Sequence, residues 1–65
     1  MDLKSFRTTQ NLSQEKMARL LGVSFSMYAK VENGHAGASR GFMQKLKTQY
    51  PAVSIDELFF TKEAQ

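Results

Sequence analysis

The side chains that could carry chemistry in this sequence are polar and basic rather than catalytic. There is no cysteine and only one histidine, His35, which has no partner at a spacing suited to catalysis or metal binding. The neighbouring carboxylates Asp56 and Glu57 follow a serine in the pattern that opens a helix. The sequence also lacks a glycine-rich, phosphate-cradling loop. We therefore expect no enzymatic activity, no cofactor and no metal.

The basic side chains favour binding to a polyanion. The formal net charge is +3. Residues 1–50 carry eight Lys and Arg against three Asp and Glu, a net of +5, whereas residues 51–65 carry one against three, a net of −2. A nucleic acid would therefore be attracted to the first fifty residues rather than to the C-terminal part.

Capping residues and apolar spacing predict five helices that would position these side chains. Three predicted starts share one pattern, in which a serine N-cap is preceded by an apolar residue and followed four residues later by another. These apolar pairs are Leu12 with Met17, Val23 with Tyr28, and Val53 with Leu58. The predicted helices cover about residues 3–10, 14–21, 25–33, 40–50 and 55–60.

Residues 14–34 are predicted to form two short helices joined by a tight turn. Met17, Ala18 and Leu21 recur at a helical spacing, and Gly22 then interrupts the pattern. Glycine adopts a positive φ without a Cβ penalty, so it can end a helix and turn the chain sharply. Two helices joined in this way form a helix-turn-helix, whose second helix can enter the major groove of DNA.

This stretch resembles the Cro-type (XRE-type) helix-turn-helix of phage repressors and related bacterial regulators. The family pattern has apolar residues at positions 17, 21, 23, 28 and 31, a small residue at 18 and glycine at 22, all of which are present here. The resemblance extends outward to Leu3, Phe6 and Arg7, and to residues 55–59. It implies an all-α, compact five-helix, lambda-repressor-like DNA-binding domain over residues 1–65, with the helix-turn-helix formed by helices 2 and 3.

The resemblance also implies which residues contact DNA. The positions that match base-contacting ones are Phe25, Ser26, Ala29 and Lys30. The candidate phosphate contacts are Gln14, Lys16, Met27, His35 and Arg40. The resemblance further implies an ion pair between Arg7 and Glu32, which would tie the first helix to the end of the third.

Several of these side chains have a second interpretation. Phe25 could contact a thymine methyl group, which apolar side chains recognise, or it could fold back onto the core. His35 could contact phosphate or simply face solvent, and Lys16 could belong to a solvated surface. Phe59 and Phe60 cannot both point inward easily on so short a helix, so we expect one of them at the surface.

We expect a sequence-specific regulator that binds double-stranded DNA, with repression through operator binding as its mode of action. The resemblance implies a homodimer formed through the C-terminal helix, with two recognition helices ~34 Å apart on DNA. The alternative is a protein-interaction module, such as an antitoxin or antirepressor, with a protein partner. No apolar run approaches the ~20 residues of a membrane span and no signal peptide is recognisable, so we expect a cytoplasmic protein without membrane contact. From the length of 65 residues we also expect no added inducer-binding domain.

Overall fold

Residues 2–59, which the computed structural model describes, form five α-helices and no strand. The helices are α1 (Leu3–Thr9), α2 (Gln14–Leu21), α3 (Phe25–Glu32), α4 (Arg40–Gln49) and α5 (Ile55–Phe59). This confirms the predicted all-α, five-helix class, with α2 and α3 packed together as the helix-turn-helix. Phe60 and residues 61–65, which include the predicted end of the last helix, lie outside the described residues.

Side-chain caps fix where the helices begin. The Asp2 carboxylate accepts a hydrogen bond from the Ser5 N–H at 2.8 Å, and Ser24 Oγ accepts one from the Met27 N–H at 3.0 Å. Ser13, Ser39 and Ser54 each accept in the same way from the N–H three residues on. These bonds satisfy donors that the first turn of a helix leaves without an intrahelical partner.

A residue in the left-handed conformation ends each of the first three helices. At the end of α2, Gly22 has a φ of 76°. Its N–H donates to the Arg19 carbonyl at 3.2 Å, and the Val23 N–H donates to the Ala18 carbonyl at 3.0 Å. This pair of bonds is a Schellman motif. The same pair of hydrogen bonds closes α1 at Asn11 and α3 at Gly34. Both helices of the helix-turn-helix, α2 and α3, therefore end in a Schellman motif.

Three helices end one residue earlier than predicted. Gln10, Asn33 and Tyr50 are C-caps rather than helical residues. At α4 the cause is Pro51, which disfavours helical geometry in the residue before it. Tyr50 accordingly has a ψ of 80°.

The core lies between α2, α3 and α4 and is closed by α1 and α5. Met17, Tyr28 and Leu46 are fully buried, and Ala18 is 2% exposed beside the neighbouring helix. The remaining buried apolar residues are Leu3, Leu21, Val31, Phe42, Val53 and Leu58. Phe59 is partly buried and packs edge-on against the Phe42 ring at a centroid distance of 6.3 Å. Within residues 2–59, no helix is long and apolar enough to cross a membrane.

Candidate nucleic-acid interface

The outer face of α3 presents most of the residues predicted to contact bases. Tyr28 and Val31 are buried and hold the inner face of the helix against the core. Phe25 is 52% exposed, and Ser26 and Lys30 are also exposed. Ala29 is half-buried one turn after Phe25. The helix therefore offers both apolar and polar side chains to a ligand.

Phe25 does not fold back into the core. Its ring borders an open cleft of about 240 Å³ between α2 and the start of α3, which Ala18 and Val23 also line. Glu15 and Arg19 line the same cleft and make an exposed ion pair at 3.3 Å. The alternative in which Phe25 is a core residue is therefore wrong. Exposure of such a ring is compatible with contact to a ligand.

The candidate phosphate contacts fall into two groups. Lys16, His35 and Arg40 are exposed, and in the part of the chain that the structure describes neither Lys16 nor Arg40 forms an ion pair. Met27 is different, because its N–H already donates to Ser24 Oγ at 3.0 Å. Its 46%-exposed side chain is a thioether, which has no proton to donate to a phosphate. Met27 thus contributes apolar surface rather than a donor.

Gln14 is held at the start of α2 by a hydrogen bond that the sequence did not indicate. Its Nε2 donates to Glu32 Oε1 at 2.8 Å, and the side chain is half-buried. An amide nitrogen has two hydrogens, so one remains for another acceptor. The Gln14 N–H itself lies in the first helical turn, where backbone donors have no intrahelical acceptor and can bind an anion.

Gln14 belongs to a partly buried polar network, which we call the Glu32 cluster and which consists of Arg7, Gln14, Tyr28 and Glu32. Arg7 donates to Glu32 through Nε at 2.8 Å and through Nη2 at 3.2 Å. The Tyr28 hydroxyl donates to Glu32 Oε2 at 2.8 Å. The side chain of Glu32 is 1% exposed and that of Arg7 is 14% exposed. The pair implied by the resemblance is thus formed, and it extends to two further residues.

The environment of the Glu32 cluster keeps its ion pair charged. Burial would raise the pKa of Glu32, but hydrogen bonds from Arg7, Tyr28 and Gln14 outweigh burial and hold this pKa below its ordinary value. The hydrogen bond to Glu32 raises the pKa of Arg7. Burial, and then the hydrogen bond to Glu32, raise the pKa of Tyr28, so its hydroxyl stays a donor. A charged Glu32 therefore joins α1, α2 and α3 at neutral pH.

Arg7 also connects this cluster to the loop before α2. Its Nη1 donates to the Leu12 carbonyl at 2.7 Å. The single guanidinium thus bonds both the end of α3 and the chain segment that leads into α2. Among the described residues, no buried side-chain nitrogen or oxygen lacks a hydrogen-bond partner. A fully satisfied network of this kind restricts how α3 can be oriented on the domain.

Two other exposed lysines, Lys45 and Lys47, donate to backbone carbonyls of the scaffold. Lys45 Nζ donates to the Gly22 carbonyl at 3.4 Å, and Lys47 Nζ donates to the Val53 carbonyl at 2.6 Å. Over the described range 2–59, no group of His, Cys, Asp or Glu side chains could hold a metal ion. Lys16, Lys30 and Arg40 provide exposed cations on α2, on α3 and at the start of α4.

The comparison with known protein families agrees with the helix-turn-helix arrangement of α2 and α3. A helix-turn-helix family model covers residues 3–58, and the chain therefore belongs to this family, in its Cro-type (XRE-type) branch. It is a family of DNA-binding regulators rather than of enzymes. Comparisons with curated proteins and with solved structures gave no significant match.

Proposed function

We propose that this protein is a sequence-specific transcriptional regulator that represses by occupying operator DNA as a dimer. The exposed outer face of α3 is the observation that supports this proposal. The Glu32 cluster and the Gly22 turn restrict the orientation of this helix on the domain. A recognition helix of this kind contacts base edges mainly through its N-terminal residues. The proposed site of action is the cytoplasm.

The proposed base contacts are Phe25, Ser26, Ala29 and Lys30. Lys30 can donate to guanine O6 and N7, the acceptors that positively charged side chains commonly read. Ser26 can donate or accept, and the short side chain of Ala29 allows the helix to approach the bases closely. Because Lys30 is the one long polar side chain in this set, part of the sequence preference is expected to come from DNA shape.

The proposed phosphate contacts flank α3 on both sides. Lys16 and the first turn of α2, with the free amide hydrogen of Gln14, would bind one phosphate region. Arg40 at the start of α4, together with His35 in the preceding loop, would bind another. Such contacts fix the position of a protein on the duplex but carry little sequence information themselves.

We further propose that two copies associate through their C-terminal helices. An open groove of about 460 Å³ lies between the loop after α3 and Phe59 of α5. Gly34, Ala36 and Met43 contribute to its wall. Apolar surface at this end of the domain supports self-association, which would place two recognition helices about one DNA turn apart, ~34 Å.

Titration of labelled random-sequence duplexes at two salt concentrations tests the DNA-binding part of the proposal. Affinity should fall steeply with salt, because each phosphate contact releases counterions. Lys16→Ala and Arg40→Ala should each reduce the slope of log affinity against log salt by about one. Lys4→Ala is the matched control, because Lys4 is an exposed lysine of α1 that is not among the proposed DNA contacts. Equal slopes for all three variants would contradict the proposed phosphate contacts.

One observation favours a second candidate, a protein-interaction module. Leu20, Phe25 and Met27 are all large apolar residues that are 46–52% exposed. An antitoxin or antirepressor could use such a surface to cover a partner protein. This candidate predicts that duplex DNA binds weakly and without sequence preference in the same titration.

A further inference from the structure

Resting on the proposed DNA-binding function, we propose that Phe25 recognises the C5-methyl group of a pyrimidine in the major groove. The ligand feature is the methyl group itself, which thymine and 5-methylcytosine share and which uracil and unmodified cytosine lack. The protein would therefore prefer a methylated pyrimidine at the position that Phe25 faces.

The first observation is the chemistry and exposure of the side chain. Phe25 is the first residue of α3 and is 52% exposed. Its ring has no conventional hydrogen-bond donor or acceptor, so it cannot pair with the amino, carbonyl or ring-nitrogen groups of a base edge. The thymine methyl is the apolar group that the major groove displays. Contact with it would bury part of the exposed ring.

The second observation is the apolar surface around the ring. Ala29 lies four residues after Phe25, so the two side chains are neighbours on the helix. Val23, which is half-buried in the turn before α3, lines the cleft of about 240 Å³ that Phe25 borders. A methyl group that approaches Phe25 would thus meet apolar atoms from both the turn and α3.

The third observation is the arrangement of polar groups beside this surface. Ser26 and Lys30 are also four residues apart, and both are exposed. They form a polar strip parallel to the strip of Phe25 and Ala29. Hydrogen bonding to an adjacent base pair would orient the helix, and the methyl contact would then discriminate at one position. Phe25 itself has no group with which to distinguish the exocyclic oxygen of thymine from the exocyclic amine of 5-methylcytosine.

The test begins with selection of a tight-binding duplex from a random pool by the unmodified protein. That duplex is then resynthesised with deoxyuridine in place of thymidine, one position at a time. Loss of one buried methyl group should raise Kd about fourfold at the position that faces Phe25. Replacing the same T·A pair by C·G should weaken binding. Replacing it by 5-methylcytosine paired with G should give a Kd about fourfold lower than that of the C·G duplex.

Two variants connect the effect to Phe25. Phe25→Ala should bind the thymidine and deoxyuridine duplexes equally. Met27→Ala is the matched control, because Met27 is an exposed apolar residue of the same helix that lies outside the Phe25–Ala29 strip. It should keep the fourfold preference.

The outcomes separate this inference from the function on which it rests. Salt-dependent, sequence-specific binding without any effect of deoxyuridine would overturn the methyl-recognition proposal and leave the DNA-binding function standing. Absence of a selectable duplex would overturn both. A deoxyuridine effect that persists in Phe25→Ala would assign the methyl contact to another residue and overturn the role of Phe25.

Discussion

Replacement of Glu32 by glutamine should destabilise the domain severely. Glu32 accepts four hydrogen bonds, two from Arg7 and one each from Gln14 and Tyr28. Glu32→Gln keeps the side-chain shape but removes the negative charge that Arg7 needs, and it directs an amide donor toward other donors. Breaking a buried ion pair by removing one partner costs about 3–5 kcal/mol. A chain of this length has roughly 3–10 kcal/mol of stability in total.

Urea unfolding followed by circular dichroism at neutral pH measures this loss directly. Glu15→Gln is the matched control, because it also neutralises a glutamate paired with an arginine. The side chains of Glu15 and Arg19 are 71% and 73% exposed. Loss of this pair should therefore lower the unfolding free energy by no more than about 1 kcal/mol. Equal effects of Glu15→Gln and Glu32→Gln would refute the structural role assigned to the Glu32 cluster.

Acid provides a second measurement of the same cluster. The folded state holds the pKa of Glu32 below its ordinary value of 4.5. A lowered pKa stabilises the folded state above the unfolded pKa, and this contribution is lost as pH falls through the folded pKa. The unfolding free energy of the unmodified protein should therefore fall with acid below about pH 4.5. The unfolding free energy of Glu32→Gln should decrease less over the same pH range. An equal decrease in this variant would contradict the role assigned to Glu32.

The turn, the Glu32 cluster and the base contacts can each be tested by a single substitution. Gly22→Ala should lower the unfolding free energy by about 1–2 kcal/mol. Backbone strain alone would cause this loss, because an added Cβ meets nothing within 4 Å. Gly41→Ala, in a helix, should instead be neutral or slightly stabilising in the same urea titration. Tyr28→Phe should lower the unfolding free energy by about 1.5–3 kcal/mol, since it removes a hydrogen bond to a charged group; a loss below 0.5 kcal/mol would contradict the cluster geometry. Lys30→Ala should reduce the ratio of specific to non-specific DNA affinity by the equivalent of about 1–3 kcal/mol, and an unchanged ratio would remove Lys30 as a base contact.

The helices were predictable because their determinants are local. Serine caps and left-handed closing residues act within a few residues of the chain, so the starts agree with the structure and the ends differ by one residue at most among the described helices. The burial of Met17, Ala18 and Tyr28 followed from spacing in the same way.

The details of the site were less predictable because they depend on tertiary packing. The pairing of Arg7 with Glu32 came from the family resemblance rather than from spacing. The hydrogen bond from Gln14 to Glu32 joins residues 18 positions apart, on two different helices, and no local pattern indicates it. The Tyr28–Glu32 bond had a usable signal, since these residues are one helical turn apart. Periodicity left Phe25 at the boundary of the buried face, so only packing could decide its exposure.

The proposed function requires the outer face of α3 to bind duplex DNA. Amide chemical shifts of the ¹⁵N-labelled protein, recorded while a selected duplex is added, would locate the surface that DNA contacts. We predict the largest changes at residues 25–30, with further changes at the first turn of α2 and at Arg40. Changes confined to the surface around Leu20, or no changes at saturating duplex, would contradict the proposed function.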